Sequence, residues 1–115
     1  MQPVKLDVHV QESSNGTPSV AKLEGKLVLE TVNGFLQTMR PQTSPGLVMD
    51  MSGVSFLDSA GVGALVQLFV HRRNQGQKFA LAALTPQSMA VMQVAGLLKL
   101  MPVFGSVAEA QQQAN

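Results

Sequence analysis

Strand-like and helix-like segments alternate along this chain, and that alternation restricts its fold more than any other feature. LVMDM (47–51) and KFALAAL (78–84) are short, nearly continuous apolar runs, the pattern of strands buried on both faces. Between them, residues 59–75 place Val62, Leu65, Val66 and Phe69 at helical spacing. A strand, a helix and a further strand in that order imply a parallel pair joined by a right-handed crossover.

The flanks extend the pattern. Val4, Leu6, Val8 and Val10 alternate with Lys5, Asp7, His9 and Gln11, so the chain starts with a strand buried on one face. SSNGTP (13–18) carries an Asn-Gly turn signal, and Val20 to Leu27 resumes a strand-like run broken at Gly25. This leading hairpin makes the sheet mixed. Val32, Phe35, Leu36 and Met39 lie at i, i+3, i+4 and i+7 of a helix that Pro41 stops. In helix 59–75, His71, Arg72 and Arg73 complement the dipole at the last turn, and Gly76 ends it. Thr85 caps a helix that has Pro86 at its first position and ends at Gly96. Val103-Phe104 is a final edge strand. Ser106-Val107-Ala108-Glu109 has capping-box spacing and opens a terminal helix, and the closing QQQAN is expected to fray. The whole reads as a single α/β domain over residues 1–115, a mixed sheet of four to five strands with helices packed on it.

Composition narrows the function. Charged residues make up 13% and the net charge is +1, with Arg72-Arg73 the only adjacent basic pair, which argues against nucleic-acid binding. No apolar stretch is long enough to insert in a membrane, and the start lacks a signal peptide's apolar core, so a cytoplasmic location is expected. There is no cysteine, hence no thiolate metal site. The surface must therefore be rich in uncharged polar and small apolar groups, as suits a protein partner.

The segment FLDSAGVGAL (56–65) holds the most specific chemistry. Asp58 or Ser59 is suited to capping the helix that follows. Gly61 and Gly63 cost the helix about 1 kcal/mol each relative to alanine. Either they let a partner approach the backbone, or they let the helix pack closely on its own sheet; the sequence leaves both open. A serine at a helix start also tolerates phosphorylation, because free N–H groups and the dipole stabilise a negative group there, although Asp58 next door opposes it.

Other chemistries fit poorly. Ser59 lacks the G-x-S-x-G elbow and an assignable His–acid pair for hydrolysis. His9 and His71 are far apart in sequence and make a weak metal pair. A phosphoaspartate receiver would need an acidic magnesium cluster after the first strand, where only Glu12 stands. No P-loop is present and Gly61-Val62-Gly63 alone is a weak nucleotide signal; no cofactor is expected. Met89, Met92 and Met101 are expected to fill core space.

VMDMSGVSFLDSAGVGALVQL (48–68) resembles the D-S-x-G segment of STAS domains, the family of bacterial anti-sigma factor antagonists. GKL (25–27), QGQKFALAAL (75–84) and VAGLLKLMPVFGSVAEA (94–110) agree with the family on either side. The resemblance implies a non-catalytic protein that binds an anti-sigma factor, itself a serine kinase of the ATPase type. It also implies that phosphorylation of Ser59 releases that partner. Asp58, Ser59, Ala60, Gly61 and Gly63 would then form the binding surface, with Asp50 supporting the loop from the strand end. The other role the family implies is a regulatory or interaction subunit of a membrane transport assembly. One position departs: where the family commonly has an acid after Gly-x-Leu to cap the first helix, this chain has Val28, leaving Glu30 or Thr31 to cap.

Overall fold

The computed structural model describes residues 4–13 and 16–113. The elements run β1 (Leu6–Gln11), β2 (Ser19–Leu27), α1 (Val32–Met39), β3 (Gly46–Leu57), α2 (Ser59–Asn74), β4 (Lys78–Ala82), α3 (Pro86–Val94), β5 (Val103–Phe104) and α4 (Val107–Gln113). The strands form one sheet in the order β1-β2-β3-β4-β5. β1 and β2 are antiparallel, and every other pair is parallel. The expected mixed sheet with helices packed on it is therefore present, with five strands. The turn expected at Asn15-Gly16 lies partly outside the described residues, as does the end of the QQQAN tail, whose first three residues are helical.

Alternation along the strands decides which helix covers which face. Ala21, Leu23, Leu47, Met49 and Leu81 pack with Phe35 and Met39 of α1, Leu65 and Leu68 of α2, and Met92 of α3. Val20, Val48, Ala80 and Ala82 point the other way, onto Val107 and Ala110 of α4. Met92 and Met101 are buried, as core-filling residues would be, whereas Met89 is only half-buried and belongs to neither core cluster.

The structure corrects three local expectations. First, the strand expected at 47–51 runs on through Leu57, so only Asp58 separates β3 from α2. The pairing of β3 with β2 slips between Lys22 and Glu24 and again between Gly25 and Lys26. The buried residues there, Met51, Val54 and Leu57, fall three apart, which hides the strand from a period-two reading. Gly53 is obligatory in this close pairing, since a Cβ would stand 2.5 Å from the Leu23 carbonyl oxygen. Second, β4 stops at Ala82, because Ala83 turns into the left-handed region with φ 58°.

Third, Arg72 does not simply complement the α2 dipole. It is fully buried. Its guanidinium donates to the carbonyls of Lys78 (3.0 and 3.1 Å), Gln42 (3.2 Å) and Ser44 (2.7 Å). It thus ties the α1–β3 and α2–β4 connections together, and burial pulls its pKa below the usual arginine value. The face that α2 buries is correspondingly rotated. Gly61, Val62, Ala64, Leu65, Leu68 and Arg72 are buried, while Val66 and Phe69 are half-buried on its flank.

Candidate functional site

The site begins with the fixing of β3's carboxyl end. β4 ends well short of it, so the outer side of Leu57 has no neighbouring strand. The side-chain amide of Gln87, in the first turn of α3, takes that place. It accepts from the Leu57 N–H at 2.9 Å and donates to the Leu57 carbonyl at 2.8 Å. Leu57 itself is fully buried.

Asp58 follows in extended conformation and caps α2, its Oδ1 accepting from the Gly61 N–H at 2.8 Å. Its other oxygen, Oδ2, accepts from the Leu29 N–H at 3.1 Å. One carboxylate therefore fixes both the helix start and the β2–α1 connection. Across from it, the Thr31 hydroxyl accepts from the Val28 N–H at 3.1 Å and donates to the Lys26 carbonyl at 2.7 Å. Thr31 occupies the N-cap position of α1, but its hydroxyl binds back into the connection and not forward to a helix N–H. Val28 is buried, so the position where the family commonly has an acid contributes packing here.

Ser59 is the first residue of α2 and is exposed; among the described residues its hydroxyl has no hydrogen-bond partner. Ala60 beside it is half-buried. The two glycines separate into different roles. A Cβ on Gly61 would lie 2.2 Å from the Leu27 carbonyl oxygen and 2.8 Å from Leu57 Cδ1, so Gly61 lets α2 pack on its own sheet and leaves no space for a partner. A Cβ on Gly63 would meet nothing within 4 Å, so its surface is open. Asp50 is not part of this constellation. It lies within β3, seven residues before Leu57 and roughly 23 Å away at strand rise. Its Oδ1 accepts from the N–H (3.0 Å) and hydroxyl (2.7 Å) of Ser52.

Two contributors carry little signal in the sequence. Gln87 gives no motif, because its role depends on β4 ending early. The other is a lack of charge: neither residues 59–70 nor residues 79–98 contain Asp, Glu, Lys or Arg. That absence is visible in the sequence once α2 and α3 are known to be neighbours. Ser59 thus stands on a largely uncharged surface, with Asp58 as its adjoining charge. Among the described residues no group of three His, Cys, Asp or Glu side chains could hold a metal. No helix there is long and apolar enough to cross a membrane.

The family model for the STAS domain matches residues 8–110. An anti-sigma factor antagonist from Mycobacterium paratuberculosis has a TM-score of 0.85 at 24% identity, covering 98% of this chain and 97% of its own. The anti-sigma factor antagonist SpoIIAA in its unphosphorylated form gives 0.74 at 19% identity, covering 90% of this chain and 92% of its own. The STAS domain of a SulP transporter from Vibrio cholerae gives 0.66 at 21% identity, covering 81% and 77%. At these identities the likeness to solved structures is one of fold.

Proposed function

The chain belongs to the STAS domain family, and from that premise we propose that it is an anti-sigma factor antagonist controlled by phosphorylation of Ser59. In this reading it has no catalytic activity of its own and acts in the cytoplasm. With Ser59 unmodified, it binds an anti-sigma factor that is also a serine kinase of the ATPase type, and so regulates transcription. Phosphorylation of Ser59 releases it.

The observation that carries this reading is the exposed, unengaged Ser59 hydroxyl on a helical surface whose adjoining charge is Asp58. A phosphate there adds roughly −1.5 to −2 charge. The start of α2 accommodates it, since an anion near a helix N-terminus gains about 0.3–1 kcal/mol. A partner packed over Ser59, Ala60 and Gly63 meets a different situation: a dianion with no cation in this part of α2 to pair with. Burying it unpaired opposes binding by several kcal/mol, on the order of 3–5 when a buried charge lacks its partner. The host keeps its fold while the interface is lost.

The buried Val28 favours a second role, as a regulatory subunit of a membrane transport assembly, because it removes an acid that the family commonly places beside this surface. The fold shared with a SulP transporter STAS domain is compatible with that role. Incubation of the chain with ATP and the histidine-kinase-like ATPase encoded nearest to it, followed by mass mapping, separates the two. Phosphate on Ser59 supports the antagonist role. No phosphorylation, together with co-purification of transport subunits, supports the other.

A further inference from the structure

A separate groove of ≈ 480 Å³ lies at the far end of α2, where β4 meets β5. It is roughly 20 Å along the helix from Ser59, taking 1.5 Å per residue from there to Arg73. Its origin is local. The ladder between β4 and β5 begins only at Leu81 and Val103. The Leu81 N–H donates to the Pro102 carbonyl at 2.9 Å, so the Phe79 backbone, two residues earlier, faces the same edge. Pro102 has no N–H with which to answer the Phe79 carbonyl, and the sheet edge stays open there.

Two features define the groove's chemistry. Phe69 and Phe79 line it together with Leu100 and Pro102, and Phe104 lines its β5 end while packing on the α4 face of the sheet. Phe69 and Phe79 already form a tilted pair with centroids 6.1 Å apart. Its charged lining residues are Arg73 and Lys78, with no acid among them. The Arg73 guanidinium lies 5.5 Å from the Phe69 ring centroid. A guanidinium stacked in this way keeps in-plane N–H groups for an acceptor. Among the described residues neither Arg73 nor Lys78 has an ion-pair partner.

We infer that this groove binds a small aromatic carboxylate, with its ring against Phe69, Phe79, Leu100 and Pro102 and its carboxylate held by Arg73 and Lys78. The volume lies in the usual range for small-molecule sites, about 300–1,000 Å³. β5 is only two residues long, too short an edge for an added peptide strand, so a small molecule fits better than a peptide. Aromatic rings favour a planar partner through edge and face contacts, and the Arg fork matches a carboxylate bidentately.

The probe is 2-naphthoate, titrated into the full chain and followed by ¹H–¹⁵N NMR. The inference expects a dissociation constant below about 1 mM, as suits a ligand of this size. Shifts should be confined to the amides of Phe69, Arg73, Lys78, Phe79 and Phe104. Replacing both cations (Arg73→Gln with Lys78→Gln) should weaken binding at least tenfold with the melting temperature preserved. Neutral 2-naphthalenemethanol should bind at least tenfold more weakly than the acid. Should the double variant unfold, this neutral probe on the unaltered chain decides the charge requirement. Decanoate binding as tightly as 2-naphthoate, equal binding of the neutral probe, or no saturable shift at millimolar concentration each overturns the inference. The Ser59→Ala protein should bind 2-naphthoate unchanged, so failure here and failure of the phosphorylation reading are told apart.

Discussion

The amide of Gln87 closes both free backbone groups of Leu57, accepting at 2.9 Å and donating at 2.8 Å. A side chain from α3 thereby does at the end of β3 what a strand does elsewhere. Asp58 and Ser59 follow directly, so the position of the candidate switch depends on this pair. Gln87→Ala leaves a buried N–H and carbonyl unpaired and should destabilise the fold by about 1–3 kcal/mol, measured by urea unfolding. A loss under a few tenths of a kcal/mol means the pair does not hold the strand end.

The two glycines of α2 should respond in opposite directions. Gly61→Ala puts a methyl 2.2 Å from the Leu27 carbonyl oxygen, where backbone must move. It should cost about 3 kcal/mol or prevent folding, the upper end of overpacking effects. Gly63→Ala meets nothing within 4 Å. It should raise stability by about 0.5–1 kcal/mol through helix propensity. If a partner does pack over Gly63, the same methyl should also weaken partner binding, so thermal melting and calorimetric titration of this one variant should move in opposite senses.

Asp58→Ala removes an N-cap and the tie to Leu29 together. The expected loss is about 1–2 kcal/mol from the cap, with added exchange of the Leu29 amide. Ser59→Ala, at an exposed position with no bond to lose, should stay within about 0.5 kcal/mol of the parent. Hydrogen exchange at Leu29 distinguishes the variants, since only the first should accelerate it.

How far the sequence discloses this architecture varies with the kind of signal. Val32, Phe35, Leu36 and Met39 define α1 because helical spacing is a local property, and the structure has helix from Val32 to Met39. Thr85 accepts from the Ser88 N–H at 3.2 Å, and Ser106 from the Glu109 N–H at 3.1 Å, both caps read from residue type and spacing. The carboxyl half of β3 was hidden because two register slips disrupt its alternation. Spacing places Arg72 with the cations that complement the α2 dipole; its burial is not legible because arginine is rarely buried and only the meeting of two distant loops supplies its carbonyl acceptors. Ser59 and Asp58 were recognisable as a cap and an acceptor. That Gly61 serves packing and Gly63 an open surface became clear only from what stands opposite each Cα.

Arg72 supplies a further test of that packing. Arg72→Met should destabilise by about 3 kcal/mol, because the carbonyls of Lys78, Gln42 and Ser44 lose a buried charged donor. Guanidinium stays protonated at ordinary pH. The difference between parent and variant in chemical denaturation should therefore be flat from pH 5 to about pH 9.

The most direct test compares the affinity of the unmodified and Ser59-phosphorylated chains for the same candidate ATPase by calorimetric titration. The account predicts at least a hundredfold weaker binding on phosphorylation, corresponding to about 2.7 kcal/mol or more, with unchanged far-UV circular dichroism. Equal affinity of the two forms, with phosphate verified on Ser59, contradicts it.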